Sequence, residues 1–332
     1  MYVHLTDFCN QNCPFCFARE EMTRAVKKEM SFEDFRKIVL KFKKTERLTL
    51  DFLGGEPTLH TEFKKFLSYA LRHFFAIRLY TNGLFSNEVK KAIKRNAPRI
   101  RLIVNISTPG FRFNRKTREI ILGNVDELAS ETPVTLSVVS LFLSDSVVRE
   151  YFQLVPRKIL KKTSIKLSFM SPIAGDKNPI SINDYPKIGK SICRVIKQLV
   201  KIGPPRQFRF NKMFRPCMFS KEDRLFLKKR RLEFITENNH CHSDSETEEL
   251  YHVNTDLSTF KCYPLSTVDI FNFREIKDER EIKVKYNRLQ KKYCQDLILP
   301  ECKKCPFFGF KEGKCTGPCI GFRINALNGI NI

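Results

Sequence analysis

Near the N-terminus, Cys9, Cys13 and Cys16 are spaced four and then three residues apart, in the segment Cys9-Asn10-Gln11-Asn12-Cys13-Pro14-Phe15-Cys16. The segment follows Tyr2-Val3-His4-Leu5, which reads as the end of a strand. Thiolates this close can converge on one metal centre. A structural zinc site closes its shell with a fourth Cys or His, whereas an open position marks a site that transforms something. In an iron–sulfur cube, three cysteines hold three irons and leave the fourth for a small chelating molecule. The plainer alternative is a zinc knuckle that borrows a distant ligand.

A second set of thiols crowds the C-terminal part: Cys217, Cys241, Cys262, Cys294, Cys302, Cys305, Cys315 and Cys319. Eight is the number that saturates two cubes at four thiolates each. Zinc competes here too. Cys302-x2-Cys305 with Cys315-x3-Cys319 could form a four-thiolate ribbon, and His240-Cys241-His242 offers further ligands. Cys193 lies beside Ile192 and Val195 in a helical pattern and is expected to be a buried, inert thiol. His4, His60 and His73 fall within strand or helix patterns and are expected to be structural.

The chain must bring these thiols together. Its 332 residues, 42% hydrophobic, suit one large or two moderate domains. No uninterrupted apolar run is long enough to cross a bilayer, and no signal-peptide pattern precedes Cys9. Twelve cysteines in such a chain point to metal or catalytic use in a reducing cytoplasm rather than to disulfides. The net charge is +24, with 60 Lys+Arg against 36 Asp+Glu. Such a surface attracts nucleic acid or an acidic peptide. The basic residues are scattered, however, as in Lys64-Lys65, Lys90-Lys91 and Lys161-Lys162, and only Lys228-Lys229-Arg230-Arg231 is a tight cluster. Scatter favours a solvated surface over a nucleic-acid site.

Strand-like runs lie near residues 2–6, 47–53, 76–81, 99–107, 133–140 and 163–170, with helical periodicities between them. Ser31 can cap a helix whose Phe32, Phe35, Ile38, Val39 and Phe42 share a face. Phe63, Phe66, Leu67, Ala70 and Leu71 repeat the pattern, Ser86 reads as the next cap, and a last long helix holds Ile188, Ile192, Val195, Ile196 and Leu199. Six strand–helix units imply a parallel sheet with right-handed crossovers. Six falls short of the eight that close a full barrel. The expected fold is α/β, an open partial (β/α)6 barrel over 1–205, followed by a small cysteine-rich domain over 206–332. Gly203-Pro204-Pro205 marks the boundary, and Ser243-Asp244-Ser245-Glu246-Thr247-Glu248-Glu249 reads as a solvated loop.

Cys-x3-Cys-x2-Cys with Phe15 before the third cysteine resembles the signature of radical S-adenosylmethionine (SAM) enzymes. Leu53-Gly54-Gly55-Glu56-Pro57 and Tyr80-Thr81-Asn82-Gly83 stand where that family carries its next motifs, and the resemblance covers roughly residues 1–200. It implies that Cys9, Cys13 and Cys16 hold a [4Fe–4S] cluster whose fourth iron is chelated by SAM. One electron then yields methionine and a 5′-deoxyadenosyl radical. Gly54 and Gly55 would let the backbone approach closely, Glu56 would accept from the SAM ammonium, and Pro57 would stiffen the turn. Thr81 and Asn82 would also line the cofactor site. Ser107 and Ser137 are further candidates on later strands; the acidic residue expected two positions after Ser107 is Pro109.

The C-terminal cysteines resemble the auxiliary-cluster (SPASM, or shorter twitch) domain of peptide-modifying radical SAM enzymes. Asp256-Leu257-Ser258-Thr259-Phe260-Lys261-Cys262 is similar to the hairpin that delivers an upstream ligand. Here Ser258 replaces the hairpin glycine, the gap from Cys305 to Cys315 is long, and no cysteine follows Cys319. Cys294 is one substitute for that missing ligand. The resemblance implies one or two auxiliary [4Fe–4S] clusters, a peptide or protein substrate, an electron donor such as flavodoxin or ferredoxin, and a separate leader-recognition protein. Two alternatives stand beside it: a dehydrogenase or other enzyme acting on a small molecule such as an aminosugar, and an RNA-modifying or nucleic-acid-binding cluster protein.

Overall fold

The computed structural model describes the chain except for residues 15, 17, 25–27, 43–48, 141–145, 170–172, 176–180, 203–204, 206, 211–213, 233–250, 310–314 and 329–332. Phe15, Gly203, Pro204, His240, Cys241, His242 and the acidic run 243–249 therefore lie outside the described residues.

One ten-stranded sheet runs through the molecule. Its strands are β1 (Tyr2–His4), β2 (Thr49–Leu53), β3 (Ala76–Thr81), β4 (Ile100–Asn105), β5 (Val134–Ser140), β6 (Ser164–Phe169), β7 (Gln207–Phe210), β8 (His252–Val253), β9 (Ser258–Phe260) and β10 (Phe271–Asn272). Their order is β10-β9-β8-β1-β2-β3-β4-β5-β6-β7, so the sheet is open. From β1 to β7 every neighbour is parallel. The first six coincide with the strand runs read from the sequence. The seventh falls beyond residue 205 and pairs with β6, while β8 adds in parallel to the free edge of β1. The sheet is thus continuous across the sequence boundary.

The two faces of the sheet differ, because side chains alternate along each strand. Val3, Leu50, Phe52, Ile77, Leu79, Ile100, Leu102, Leu136, Ile165 and Leu167 are buried on the helix-covered face. Helix Phe32–Phe42 buries Phe35, Ile38, Val39 and Phe42, with Glu33 and Asp34 in its first turn and Lys41 in its last, matching the helix dipole. Each such aliphatic or aromatic side chain contributes roughly 1.5–3 kcal/mol on burial. Helix Phe63–His73 and helix Tyr185–Ile202 repeat the arrangement, and Cys193 is buried in the latter. Ser86 caps helix Asn87–Arg95 by accepting from Val89 N.

An aromatic stack fastens β8 and β9 to β1. The His252 ring stacks on Tyr2 at 4.6 Å and on Phe260 at 4.8 Å. His4 Nε2 and His252 Nδ1 share a buried hydrogen bond of 3.0 Å. Burial holds His4 near a pKa of about 4 and pushes His252 down as well. Both rings, like His60, whose Nε2 is 2.9 Å from the Met30 carbonyl, are structural. In the β8–β9 hairpin the left-handed position falls on Leu257, at φ 70°, one residue before Ser258.

Candidate active site at the strand ends

The Cys loop rests on the turn after β2. Gly55 N donates to the Thr6 carbonyl and Glu56 N to the Phe8 carbonyl, both at 2.7 Å. A Cβ on Gly54, where φ is +143°, would stand 2.3 Å from the Thr6 oxygen, and one on Gly55 would stand 2.4 Å from the Phe8 oxygen. Both glycines are therefore required by the close approach of two stretches of this chain's own backbone.

Glu56 is fully buried, and its carboxylate is committed to the chain. Oε1 accepts from Thr58 N (3.2 Å), Thr58 Oγ1 (2.6 Å) and Thr81 Oγ1 (2.9 Å), and Oε2 from Asn82 N (2.7 Å). Burial raises its pKa, and these hydrogen bonds pull it back down. A carboxylate offers about four acceptor positions, so little capacity remains for a ligand's ammonium group. Within the chain, Glu56 holds the ends of β2 and β3 together. Beyond the strand ladder, the Gly54 and Gly55 carbonyls accept no hydrogen bond from a described residue.

Asn82 carries the connection onward. Its Nδ2 donates to Asn10 Oδ1 at 2.6 Å, while its Oδ1 accepts from Leu84 N at 2.9 Å. Asn10 Nδ2 donates to the Leu84 carbonyl. Gln11 Oε1 accepts from Gly110 N at 3.1 Å, and Arg19 reaches Asn12 Oδ1 and the Cys13 carbonyl. Sequence reasoning missed Asn10, Gln11 and Arg19; the polarity of Asn10 and Gln11 inside the Cys motif was the available signal, and Arg19 lies three residues beyond it. Ser107 Oγ bonds Asn105 Oδ1 and accepts from Val139 N at 3.1 Å, tying the end of β4 to β5. Ser137 is buried beside it, and its carbonyl accepts from Ile106 N. Pro57 opens a short 3-10 turn that Glu56 caps.

The three loop thiols stand together, half-buried, and their proximity helps raise the pKa values of Cys9 and Cys13. Burial and then the charges of Cys16 and Cys9 push Cys13 up to about 12. Cys9 is raised by burial first, with Glu56 and Cys16 adding to it. Arg19 opposes the rise at Cys13 less than burial and the neighbouring thiols drive it, and such a donor set suits a multiply charged metal centre. Arg112 and Tyr151, both unforeseen, lie alongside: Tyr151 is in electrostatic reach of Cys13, and Arg112 pairs with Glu150 at 2.9 Å.

A second thiol group forms at the other end of the chain. Cys217 is exposed as a residue, yet desolvation of its thiol, with Cys315, Cys305 and Cys302 in electrostatic reach, pushes its pKa up to about 12. Gly317 N points to Cys315 Sγ at 3.4 Å, and Arg224, in the helix that follows Cys217, stacks over the Phe307 ring at 5.1 Å. Cys319, buried, caps helix Ile320–Leu327 beside Tyr185, which also senses Cys217 and Cys315. Cys262 starts the turn Tyr263–Leu265. Cys294 lies within Lys291–Gln295. Among the described residues, no three His, Cys, Asp or Glu side chains close to the spacing of a single ion.

Residues 3–155 match the Radical SAM superfamily. That match covers just under half of the chain, the part that holds Cys9, Cys13, Cys16, Gly54, Gly55 and Glu56. A 7,8-dihydro-6-hydroxymethylpterin dimethyltransferase from Methanocaldococcus jannaschii is 34% identical over 85 residues, 25% of this chain and 17% of that protein. The matched segment thus spans about a sixth of that relative's length. Two solved structures share the fold more widely. SuiB of Streptococcus suis bound to its precursor peptide SuiA gives a TM-score of 0.65 at 13% identity, covering 95% of this chain and 71% of that one. Native anSMEcpe with bound AdoMet and Kp18Cys peptide gives 0.65 at 17% identity, covering 96% and 88%. Among the described residues no helix is long and apolar enough to cross a membrane.

Proposed function

We propose that the chain is a radical SAM enzyme that modifies a peptide or protein, with Cys9, Cys13 and Cys16 holding the SAM-binding cluster. The observation that carries this reading is the thiol trio, pinned by Asn10 to the end of β3, by Gln11 to Gly110, and by Gly54 and Gly55 to the end of β2. When bound, the cluster and SAM supply a 5′-deoxyadenosyl radical that abstracts hydrogen from the substrate. The chain holds the reactants still. The Gly54 and Gly55 carbonyls are the acceptors for the SAM ammonium, and Glu56 keeps their turn in place. The partial barrel walls the site from water.

Cys217, Cys302, Cys305 and Cys315 form the ligand set of one auxiliary cluster, Cys217 filling the place that Cys294 was a candidate for. Cys262, with Cys241 and Cys319, serves a second. The peptide substrate is supported by a fold shared over nearly the whole chain with two enzymes solved with peptides. An electron donor of the flavodoxin or ferredoxin type and a separate leader-recognition protein complete the proposal. A second reading, modification of a small molecule, is favoured by the pterin dimethyltransferase match.

The test is anaerobic incubation of the reconstituted enzyme, SAM and a reductant with short peptides encoded beside its gene. The expected result is a peptide mass change that tracks 5′-deoxyadenosine formation. Deoxyadenosine that rises with a pterin or sugar, and with no peptide, would overturn the peptide reading.

A further inference from the structure

The face of the sheet turned away from the helices carries charge that the thiol chemistry does not use. Tyr2, Asp51, Arg78 and Arg101 follow one another on that face, in register from β1 to β4. Lys166 on β6 and Arg209 on β7 are register partners on the same face. Arg209 lies in electrostatic reach of Arg78, Arg101 and Tyr80, although β7 stands three strands beyond β4 in the sheet. Only a sheet curled into a partial barrel brings those strands face to face.

Four cations therefore look into one concavity, and Asp51 is the carboxylate that Arg78 and Lys166 share there. That carboxylate is buried and already paired with Arg78, NH1 to Oδ1 at 3.3 Å. The helix-covered outside is arranged differently. There Lys158 and Lys162 grip Asp126, and Lys90 and Lys94 grip Glu127. On the inner face no ion pair reaches Lys166 from a described residue. Its ammonium sits 5.8 Å over the Tyr80 ring. Burial, then Arg78, lower its pKa to about 8; Asp51 opposes and Arg209 adds to the lowering. Such an uncompensated set is matched by an anion brought from outside.

We propose that this inner face anchors an anionic group of the substrate, a carboxylate or a phosphate, on Lys166, Arg78 and Arg209. Arg78 precedes Asn82, which holds the Cys loop, by four positions, or about 13 Å along an extended strand. The anchored substrate is therefore elongated, with its acidic end near mid-barrel and its reacting carbon at the strand ends. In a peptide, the anion is an acidic side chain or the C-terminus a few residues from the modified one. In a small molecule it is a phosphate or carboxylate at the far end. The assignment rests on the strand ends being where substrate is transformed.

The test is calorimetric titration of the cluster-loaded full chain with inorganic phosphate and, separately, with glutarate, at one ionic strength set with chloride. Saturable binding of at least one probe is expected. It should weaken at least tenfold in Lys166→Gln and in Arg209→Gln, and survive in Lys166→Arg, which keeps the charge and guards against a folding defect. Lys64→Gln, on an outer helix and paired with Glu88, should bind as the unmodified chain does. Tighter phosphate binding assigns a phosphorylated substrate, and tighter glutarate binding a carboxylate. Absence of saturable binding by either probe, or equal affinity in Lys166→Gln and Arg209→Gln, would overturn the proposal. SAM cleavage by the unmodified preparation is measured in parallel: its absence would defeat the radical reading alone, since anion binding does not depend on it.

Discussion

Replacing Glu56 by Gln keeps the side chain's shape and removes one acceptor, so it isolates the clamp between β2 and β3. Oε1 receives three donors and Oε2 receives Asn82 N. The better amide orientation leaves its oxygen to the three donors and turns its NH2 toward the Asn82 N–H. That loses one charge-assisted hydrogen bond and strands a buried donor, costing about 2–4 kcal/mol. Removing a buried charge returns part of that, because burial opposes the ionised Glu56. A net loss of about 2 kcal/mol remains. Unfolding entropy for 332 residues is roughly 0.7 kcal/mol/K, so the melting temperature should fall about 3 °C. The assay is thermal unfolding of the cluster-loaded chain under argon, without SAM. An unchanged melting temperature together with a tenfold or greater loss of SAM affinity would refute the clamp and return Glu56 to the cofactor.

Gly54→Ala should destabilise the chain by about 2 kcal/mol or more, given the positive φ and the 2.3 Å approach to Thr6; urea unfolding checks it, and an unchanged midpoint would contradict the packing. Cys217→Ser should reduce bound iron by about four atoms and remove one auxiliary electron paramagnetic resonance signal, leaving the SAM-perturbed signal intact; full iron content would exclude Cys217 from the set. For His4 the sign is fixed by its lowered folded pKa, about 4 against the usual 6.5. Between those values the unfolded chain binds the extra proton, so stability is complete above pH 6.5 and is lost as pH falls toward 4, by roughly 3 kcal/mol in all. Denaturation midpoints measured from pH 7 to 4.5, compared with those of His4→Gln, read this slope, and parallel curves would contradict it.

The elements that local pattern dictates were legible in the sequence. The strands up to β6 show as short apolar runs, and the helix of Phe32–Phe42 as a 3.6-residue repeat. The Cys trio and the glycines after β2 stand at readable spacings. β7 was missed because Gln207-Phe208-Arg209-Phe210 is four residues long and acquires its meaning only by pairing with β6. The clamp that Glu56 makes was not legible because its donors, Thr81 and Asn82, come from another strand. Cys217 and Cys302 are far apart in the chain, so no spacing rule joins them. The charge inside the barrel was hidden for the same reason: Arg78, Lys166 and Arg209 each look like an ordinary polar position in an alternating strand until the sheet curls.

The central claim is that Cys9, Cys13 and Cys16 hold a cluster with one iron left open to SAM, and anaerobic reconstitution of the unmodified chain and of Cys13→Ala tests it directly. Iron, sulfide and 5′-deoxyadenosine are counted in both. The account predicts that the variant loses about four irons and all SAM cleavage while its auxiliary iron stays. Cleavage that persists in Cys13→Ala, or one zinc ion found on the loop thiols of the unmodified chain, would contradict it.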